Sequence, residues 1–356
     1  MTPRFHSLKI NDIRKETEDT VSISFIVPSE LHHDYNFESG QYLTLKVDIN
    51  DEDVRRSYSL CSSPYENEWR VAVKEVQNGK FSAYANHSLE KDMILDVMTP
   101  TGNFKLSTQA LNSNSYVLFA AGSGITPILS IAKSALHEEL NSDVTIFYGN
   151  KGFASIIFRE EIEALKNQYM GRLRVIHILS RESLGNPIQK GRIDKEKTNQ
   201  LFDAFLKDIE ISGVYICGPE SMIIGVKESL IEKGTDSSKV HFELFTAPSI
   251  ENQKIELALD SRKIESNVAV IIDGEQIDLN LDSTGENVLD AAQKAGGDLP
   301  FACKGGVCCT CKAKILEGSA IMDVNYALEK DEVEAGYILT CQAHPTSDKL
   351  IVSFDE

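Results

Sequence analysis

The stretch that most constrains this chain is Phe301-Ala302-Cys303-Lys304-Gly305-Gly306-Val307-Cys308-Cys309-Thr310-Cys311, with a further cysteine, Cys341, thirty residues on. Cys303, Cys308, Cys311 and Cys341 read as C-x4-C-x2-C…C, the plant-type spacing for a [2Fe–2S] cluster. Such a cluster needs four thiolates around two irons, three from a short wrapping loop and one from a distant segment. Gly305 and Gly306 predict positive φ angles and close backbone approach within that loop. A zinc site usually shows two paired CxxC-like elements, whereas here one CxxC overlaps a CxxxxC with glycines between. Zinc and unrelated buried cysteines remain the competing readings. Cys309 falls between two proposed ligands, and the pattern leaves it as a small packed residue.

The chain has 356 residues, enough for two or three domains, and 42% hydrophobic with 25% charged residues is ordinary globular composition. No apolar run approaches the roughly 18 residues needed to span a bilayer. The opening residues lack the apolar core of a signal peptide. Together with a metal-type rather than disulfide-type cysteine pattern, this predicts a cytoplasmic protein. The formal net charge of −18 argues against nucleic acid as a partner. Residues 264–356 hold 17 Asp and Glu against 6 Lys and Arg, so −11 of the total lies there. That excess serves solubility, or forms an acidic face that steers docking onto a basic partner.

Residues 1–108 are rich in alternating segments at Val21–Val27, Gln41–Val47, Trp69–Val76 and Ile94–Met98, which predicts a small antiparallel β-barrel. Residues 109–246 alternate apolar strands and helices. Strands are expected at 116–121, 144–148, 173–179, 214–217 and 240–244. Helices are expected at 127–139, 155–168, 195–206 and 221–232. This is an α/β domain with a parallel sheet. A polar stretch over 247–263 reads as a linker. Residues 264–356 mix strands with one helix near 286–295, giving an α+β domain around the cysteine loop.

Within the barrel, Arg56-Ser57-Tyr58-Ser59-Leu60 ends a strand. A flavin needs a cation for phosphate, an aromatic face for its ring and a hydroxyl near the ring. Arg56, Tyr58 and Ser59 supply these types. Gly79-Lys80-Phe81-Ser82 then precedes a short helical stretch at 83–89, and amides at a helix N-terminus seat pyrophosphate. An Arg-x-Tyr strand is equally a surface and core pair. Within the α/β domain, Gly122-Ser123-Gly124-Ile125-Thr126-Pro127 follows a buried strand and opens a helix. Its glycines permit close approach to a diphosphate, and Thr126 is expected to cap the helix. The last Gly of GxGxxG is missing, so a plain capped turn competes. Ser180-Arg181, ending the third strand, are placed to clasp a 2′-phosphate, which favours NADPH over NADH, unless this is an ordinary charged loop. Cys217-Gly218-Pro219 ends a later strand, where ligands bind in such sheets. Cys217 there is either near a nicotinamide or simply packed.

The ordered set Arg56-x-Tyr58-Ser59, Gly79-x-x-Ser82, Gly122-x-Gly124-x-Thr126-Pro127 and Cys217-Gly218-Pro219 resembles the ferredoxin–NADP reductase superfamily, and the C-terminal quarter resembles a plant-type, β-grasp-like ferredoxin. Arg55–Ser59, Tyr148–Asn150, Gly191–Asp194, Leu299–Cys308 and Asn325–Leu328 are further similar to the reductase subunits of phenylacetyl-coenzyme A epoxidase complexes. One departure is Cys309, where relatives usually carry Ala or Ser. The resemblance implies an NAD(P)H-dependent reductase carrying FAD and a [2Fe–2S] cluster, which serves a di-iron oxygenase in a multisubunit complex. It implies Tyr58, Ser59 and Cys217 at the reacting ends of the cofactors. Arg56, Leu60, Gly79, Phe81 and Ser82 would lie around FAD, and Gly122, Gly124, Thr126, Ser180, Arg181, Gly218 and Pro219 around the nucleotide. A reductase for another ring- or steroid-hydroxylating oxygenase, and a non-enzymatic electron relay or redox sensor, are the alternatives.

Overall fold

A computed structural model describes residues 4–245 and 264–356. The expected linker over 247–263 lies outside the described residues. The described residues form three large sheets, each with its own core, and one two-stranded sheet.

The first sheet comprises β1 (Phe5–Thr17), β2 (Thr20–Ile26), β3 (Tyr42–Asp48), β4 (Asp53–Ser59), β5 (Trp69–Lys74) and β6 (Ile94–Met98). All neighbours are antiparallel in the order β4-β3-β6-β1-β2-β5, and a bridge between Leu60 and Val71 joins the two edges into a barrel. Inward residues such as Leu8, Ile23, Leu43, Leu45, Val71 and Val97 fill it. The β3–β4 hairpin turns on Asn50 and Asp51, both with positive φ, which Asn and Asp tolerate. β1 was not expected. Register shifts at Ile10/Asp12 and Lys15/Thr17 break its alternation, so no period-2 signal survives. Helix α1 (Lys80–His87) begins three residues before the expected stretch, with Gly79 at its N-cap.

The second sheet is wholly parallel, with β7 (Ser115–Ala121), β8 (Asp143–Asn150), β9 (Leu173–Leu179), β10 (Gly213–Cys217) and β11 (Val240–Glu243) in the order β11-β10-β7-β8-β9. Helices α2 (Ile125–Glu138) and α3 (Arg159–Gln168) pack on one face. Helices α4 (Lys195–Phe205) and α5 (Glu220–Glu232) pack on the other. The strand order reverses between β7 and β10, and the crevice at their C-terminal ends is where such sheets hold ligands. Two expectations are corrected. The helix expected from Ser155 starts at Arg159, because Phe158 takes φ 58 and separates it from a 3-10 turn at Phe153–Ser155. Thr126 is not the N-cap of α2. It lies inside the helix and its hydroxyl donates to the Ser123 carbonyl at 3.1 Å.

The third sheet is mixed: β12 (Glu265–Ile272), β13 (Glu275–Asp282), β14 (Lys312–Glu317), β16 (Tyr337–Leu339) and β18 (Lys349–Ser353), ordered β13-β12-β18-β14-β16. Only β12–β18 is parallel. A short pair, β15 (Ala320–Met322) with β17 (Ala343–Pro345), stands apart. Helix α6 (Val288–Lys294) is capped by Asn287, whose side chain accepts from the Asp290 amide, and it buries Val288, Leu289, Ala291 and Ala292. A second short helix, α7 (Lys330–Glu334), precedes β16. No helix among the described residues is long and apolar enough to cross a membrane.

A candidate three-cofactor site

The cysteine loop joins α6 to β14. Its left-handed residues are Lys304 (φ 50) and Gly306 (φ 71), not the expected Gly305 and Gly306 pair. A Cβ on Gly306 would lie 2.9 Å from Val324, so the position admits only glycine without a shift. Gly305 instead contributes its amide, which donates to Cys303 Sγ at 3.3 Å. Cys308 Sγ lies 3.1 Å from Cys303 Sγ, and Cys341 hydrogen-bonds both Cys303 and Cys311. Hydrogen bonds from Cys308, Cys341 and the amides of Gly305 and Val307 hold the Cys303 thiol well below the usual range. Four convergent, unpaired, largely buried sulfurs with amide donors aimed at them fit a thiolate-ligated cluster. The outer edge is Cys303-Lys304-Gly305. Cys309, Thr310 and Cys311 face inward.

Cys309 is packed beneath the loop, as expected, and it also meets the barrel. Its sulfur is 3.3 Å from the Tyr42 hydroxyl, which also accepts from the Cys309 amide at 3.1 Å. A second barrel side chain reaches the same domain. Arg55, 5% exposed, bonds Asp53, Asp298 and the Leu299 carbonyl, with its guanidinium 4.2 Å over the Phe301 ring. From the other side, Val307 and Tyr326 pack against the α4–α5 core of the second domain. The cysteine loop therefore sits where all three domains meet.

On β4, Arg56 is exposed and Tyr58 partly so, its ring backed by buried Phe81 at 5.4 Å. An exposed cation and a supported aromatic face fit a flavin phosphate and ring. Leu60 and Phe81 are buried, so any contact from them is through backbone or through Tyr58. The Ser82 hydroxyl is committed within its own loop, accepting from the Val76 amide and donating to the Gly79 carbonyl. A cavity of about 420 Å³ opens beside Gly79 and Lys80, with Asp19 and Glu75 on its wall.

A larger cavity, about 700 Å³, lies at the β7–β10 crevice. Gly122, Gly124, Ser180, Arg181, Gly218 and Pro219 line it, joined by Lys74, Lys151 and Arg192. Gly122 has φ 56 and open space where a Cβ would sit, and its carbonyl is held by the buried Tyr148 hydroxyl at 3.0 Å. Gly124 is needed for another reason: a Cβ there would meet the Cys217 carbonyl at 2.2 Å. Four cations and glycine-lined backbone fit a dinucleotide. Thr126 and Cys217 are buried and do not line this cavity. Burial and the nearby Glu243 carboxylate push the Cys217 thiol up, so it is a neutral wall behind the crevice.

Glu243, at the end of β11, escaped the sequence reading. It accepts from the Ser59 hydroxyl at 3.0 Å and thereby ties the flavin strand to the nucleotide domain. Burial pushes its carboxyl up to about 8, against the Ser59 bond that opposes the shift. The available signal was an acid ending a short strand whose other residues are Val240, His241 and Phe242.

Comparison with known proteins accounts for all three domains. Residues 7–106 match the oxidoreductase FAD-binding domain, 118–228 the oxidoreductase NAD-binding domain, and 270–346 the 2Fe-2S iron-sulfur cluster binding domain. The chain is 40% identical to a component of the 1,2-phenylacetyl-CoA epoxidase of Escherichia coli K12, over 99% of this chain and 98% of that one. It is 33% identical to the ferredoxin reductase component of 3-ketosteroid-9-alpha-monooxygenase from Rhodococcus rhodochrous, covering 98% and 96%. The structure of phthalate dioxygenase reductase shares the fold across 98% of both chains, with TM-score 0.59 and 24% identity. The resemblance read from the motifs is borne out: this chain belongs to the family of oxygenase reductase components that carry FAD-binding, NAD-binding and 2Fe–2S domains on one polypeptide.

Proposed function

We propose that this protein is the cytoplasmic NADPH-dependent reductase of a multicomponent oxygenase that epoxidises the ring of phenylacetyl-CoA. The observation that supports the electron path is the contact of the cysteine loop, through Cys309, with Tyr42 of β3, whose partner strand β4 bears Arg56, Tyr58 and Ser59. The substrate class rests on the 40% identity, over nearly the whole chain, to a component of such an epoxidase.

When bound, FAD would supply hydride acceptance and the cluster one-electron transfer. The chain's own residues position and insulate. Gly122, Gly124, Gly218 and Pro219 give the dinucleotide a close backbone seat, and Ser180 with Arg181 read its 2′-phosphate. Arg56 offers charge to a flavin phosphate while Tyr58, backed by Phe81, offers its ring face. The Ser59 hydroxyl keeps its proton directed at Glu243 Oε2, at the junction of the barrel with the nucleotide domain. Cys217 stays buried behind the crevice. Cys303, Cys308, Cys311 and Cys341 hold the cluster, with Cys303 nearest solvent and so at the exit.

The test is reconstitution with a phenylacetyl-CoA epoxidase oxygenase. NADPH consumption should rise on adding phenylacetyl-CoA, with epoxide formed. Equal support for a steroid hydroxylase and none for the epoxidase would assign the protein to the steroid class. No NADPH-driven reduction of cytochrome c would make it a relay or sensor instead.

A further inference from the structure

One barrel side chain holds the cysteine loop from beneath. The Tyr42 hydroxyl accepts from the Cys309 amide at 3.1 Å, and it lies 3.1 Å from Thr310 Oγ1 and 3.3 Å from Cys309 Sγ. Tyr42 is 4% exposed. Although it begins β3, it packs with the core of the third domain, while its neighbours Leu43 and Leu45 pack in the barrel. A buried phenol must find its partners, and here the hydrogen bonds of this one come from the loop.

The strand register gives this contact a reach. Tyr42 is paired across β3–β4 with Ser59, so both point outward from the barrel on one face. Ser59 reaches Glu243 of the nucleotide domain, and Tyr42 reaches the cysteine loop. On the same strand pair, Arg55 holds Leu299 and Phe301 at the loop's entry. Cys309 lies between Cys308 and Cys311, two of the four convergent sulfurs. Displacing its backbone therefore displaces both.

We propose that Tyr42 is the positioning residue that seats the cysteine loop on the β3–β4 pair, and so sets the coupling between the flavin site and the cluster site. This rests on the electron path proposed above. The essential contacts of its hydroxyl are the Cys309 amide and Thr310 Oγ1. The Cys309 sulfur fills space beside the hydroxyl without supplying the anchoring bond.

The experiment uses the full-length holoprotein with Tyr42→Phe, which keeps the ring and removes the hydroxyl. Three readouts are taken: deuterium uptake over residues 301–312, the electron paramagnetic resonance spectrum of the reduced cluster, and the flavin and cluster absorbance phases after mixing with NADPH. Uptake should quicken and the cluster phase should slow, each by roughly tenfold, the usual worth of one such hydrogen bond. The resonance spectrum should shift. Flavin reduction by NADPH should be unchanged. Cys309→Ala, which keeps the amide donor, should behave like the unaltered protein. Unchanged uptake and cluster phase in Tyr42→Phe, or equal slowing of both absorbance phases, would overturn the proposal. If Tyr42→Phe does not fold, Thr310→Val removes another partner of the same hydroxyl and should show the same split; no split there would also overturn it. Failure of the electron path itself looks different, since the unaltered protein would then show no NADPH-driven cluster reduction.

Discussion

The Ser59 hydroxyl donates to Glu243 Oε2 at 3.0 Å, a bond between the flavin strand of the barrel and the last strand of the nucleotide domain. The bond lies where two domains meet, and burial there pushes the Glu243 carboxyl up to about 8 although the Ser59 bond opposes the shift. That placement has consequences for stability and for pH.

Glu243 has its carboxyl raised from 4.5 to about 8 by burial. The folded protein thus binds a proton more tightly than the unfolded chain, and the resulting stability is full below about pH 4.5 and is lost as pH rises through about 8. In the flavin-free protein, unfolding midpoints of Glu243→Gln compared with the unaltered chain should diverge in the variant's favour across this window. A difference independent of pH would show that the carboxyl titrates normally.

Arg181 is exposed on the rim of the 700 Å³ cavity, beside Ser180. Its guanidinium would pair with a 2′-phosphate that NADH lacks. Arg181→Ala should raise KM for NADPH about tenfold or more, the loss expected of one charged hydrogen bond, with little change for NADH. Equal losses for both nucleotides would remove the specificity role.

Arg55 links the barrel to the cluster domain through Phe301, Asp298 and the Leu299 carbonyl. Asp298 is 86% exposed, so the ion pair itself is worth little, and the stacked, carbonyl-bonded guanidinium is the larger part. Arg55→Ala should destabilise the domain junction by about 1–3 kcal/mol. Denaturant unfolding followed at cluster wavelengths would show it as an earlier transition, with the flavin signal less affected.

Residues 264–356, which carry the proposed exit, have a net charge of −11. Electron delivery to a basic oxygenase surface should slow as salt rises beyond about 0.1 M, where charges more than ~10 Å apart are screened. Cytochrome c reduction rates measured against ionic strength give the simplest readout. Flavin reduction by NADPH within the chain should be much less sensitive.

The parts of this site that were legible in the sequence are local. Four cysteines at fixed spacing announce a cluster because three ligands must come from one short loop. Gly122 and Gly124 announce a tight strand-to-helix turn, the first because it takes a positive φ and the second because the Cys217 carbonyl leaves no room for a Cβ. The β1 strand was hidden because its bulges erase alternation. The domain seat was hidden for a different reason: Tyr42 and Cys309 stand 267 residues apart, and neither carries a pattern that points to the other. Glu243 likewise meets Ser59 across 184 residues. Ser82, Thr126 and Cys217 show the converse. They were expected at the cofactors, yet Ser82 and Thr126 bond within their own loops and Cys217 is fully buried.

The most direct test of the electron path is Cys308→Ser, followed by absorbance during NADPH titration. The unaltered protein should show flavin and [2Fe–2S] bands that both bleach. The variant should lose the cluster bands, keep a flavin that NADPH still bleaches, and reduce no oxygenase. Intact cluster bands in Cys308→Ser, or loss of flavin alone, would contradict the account.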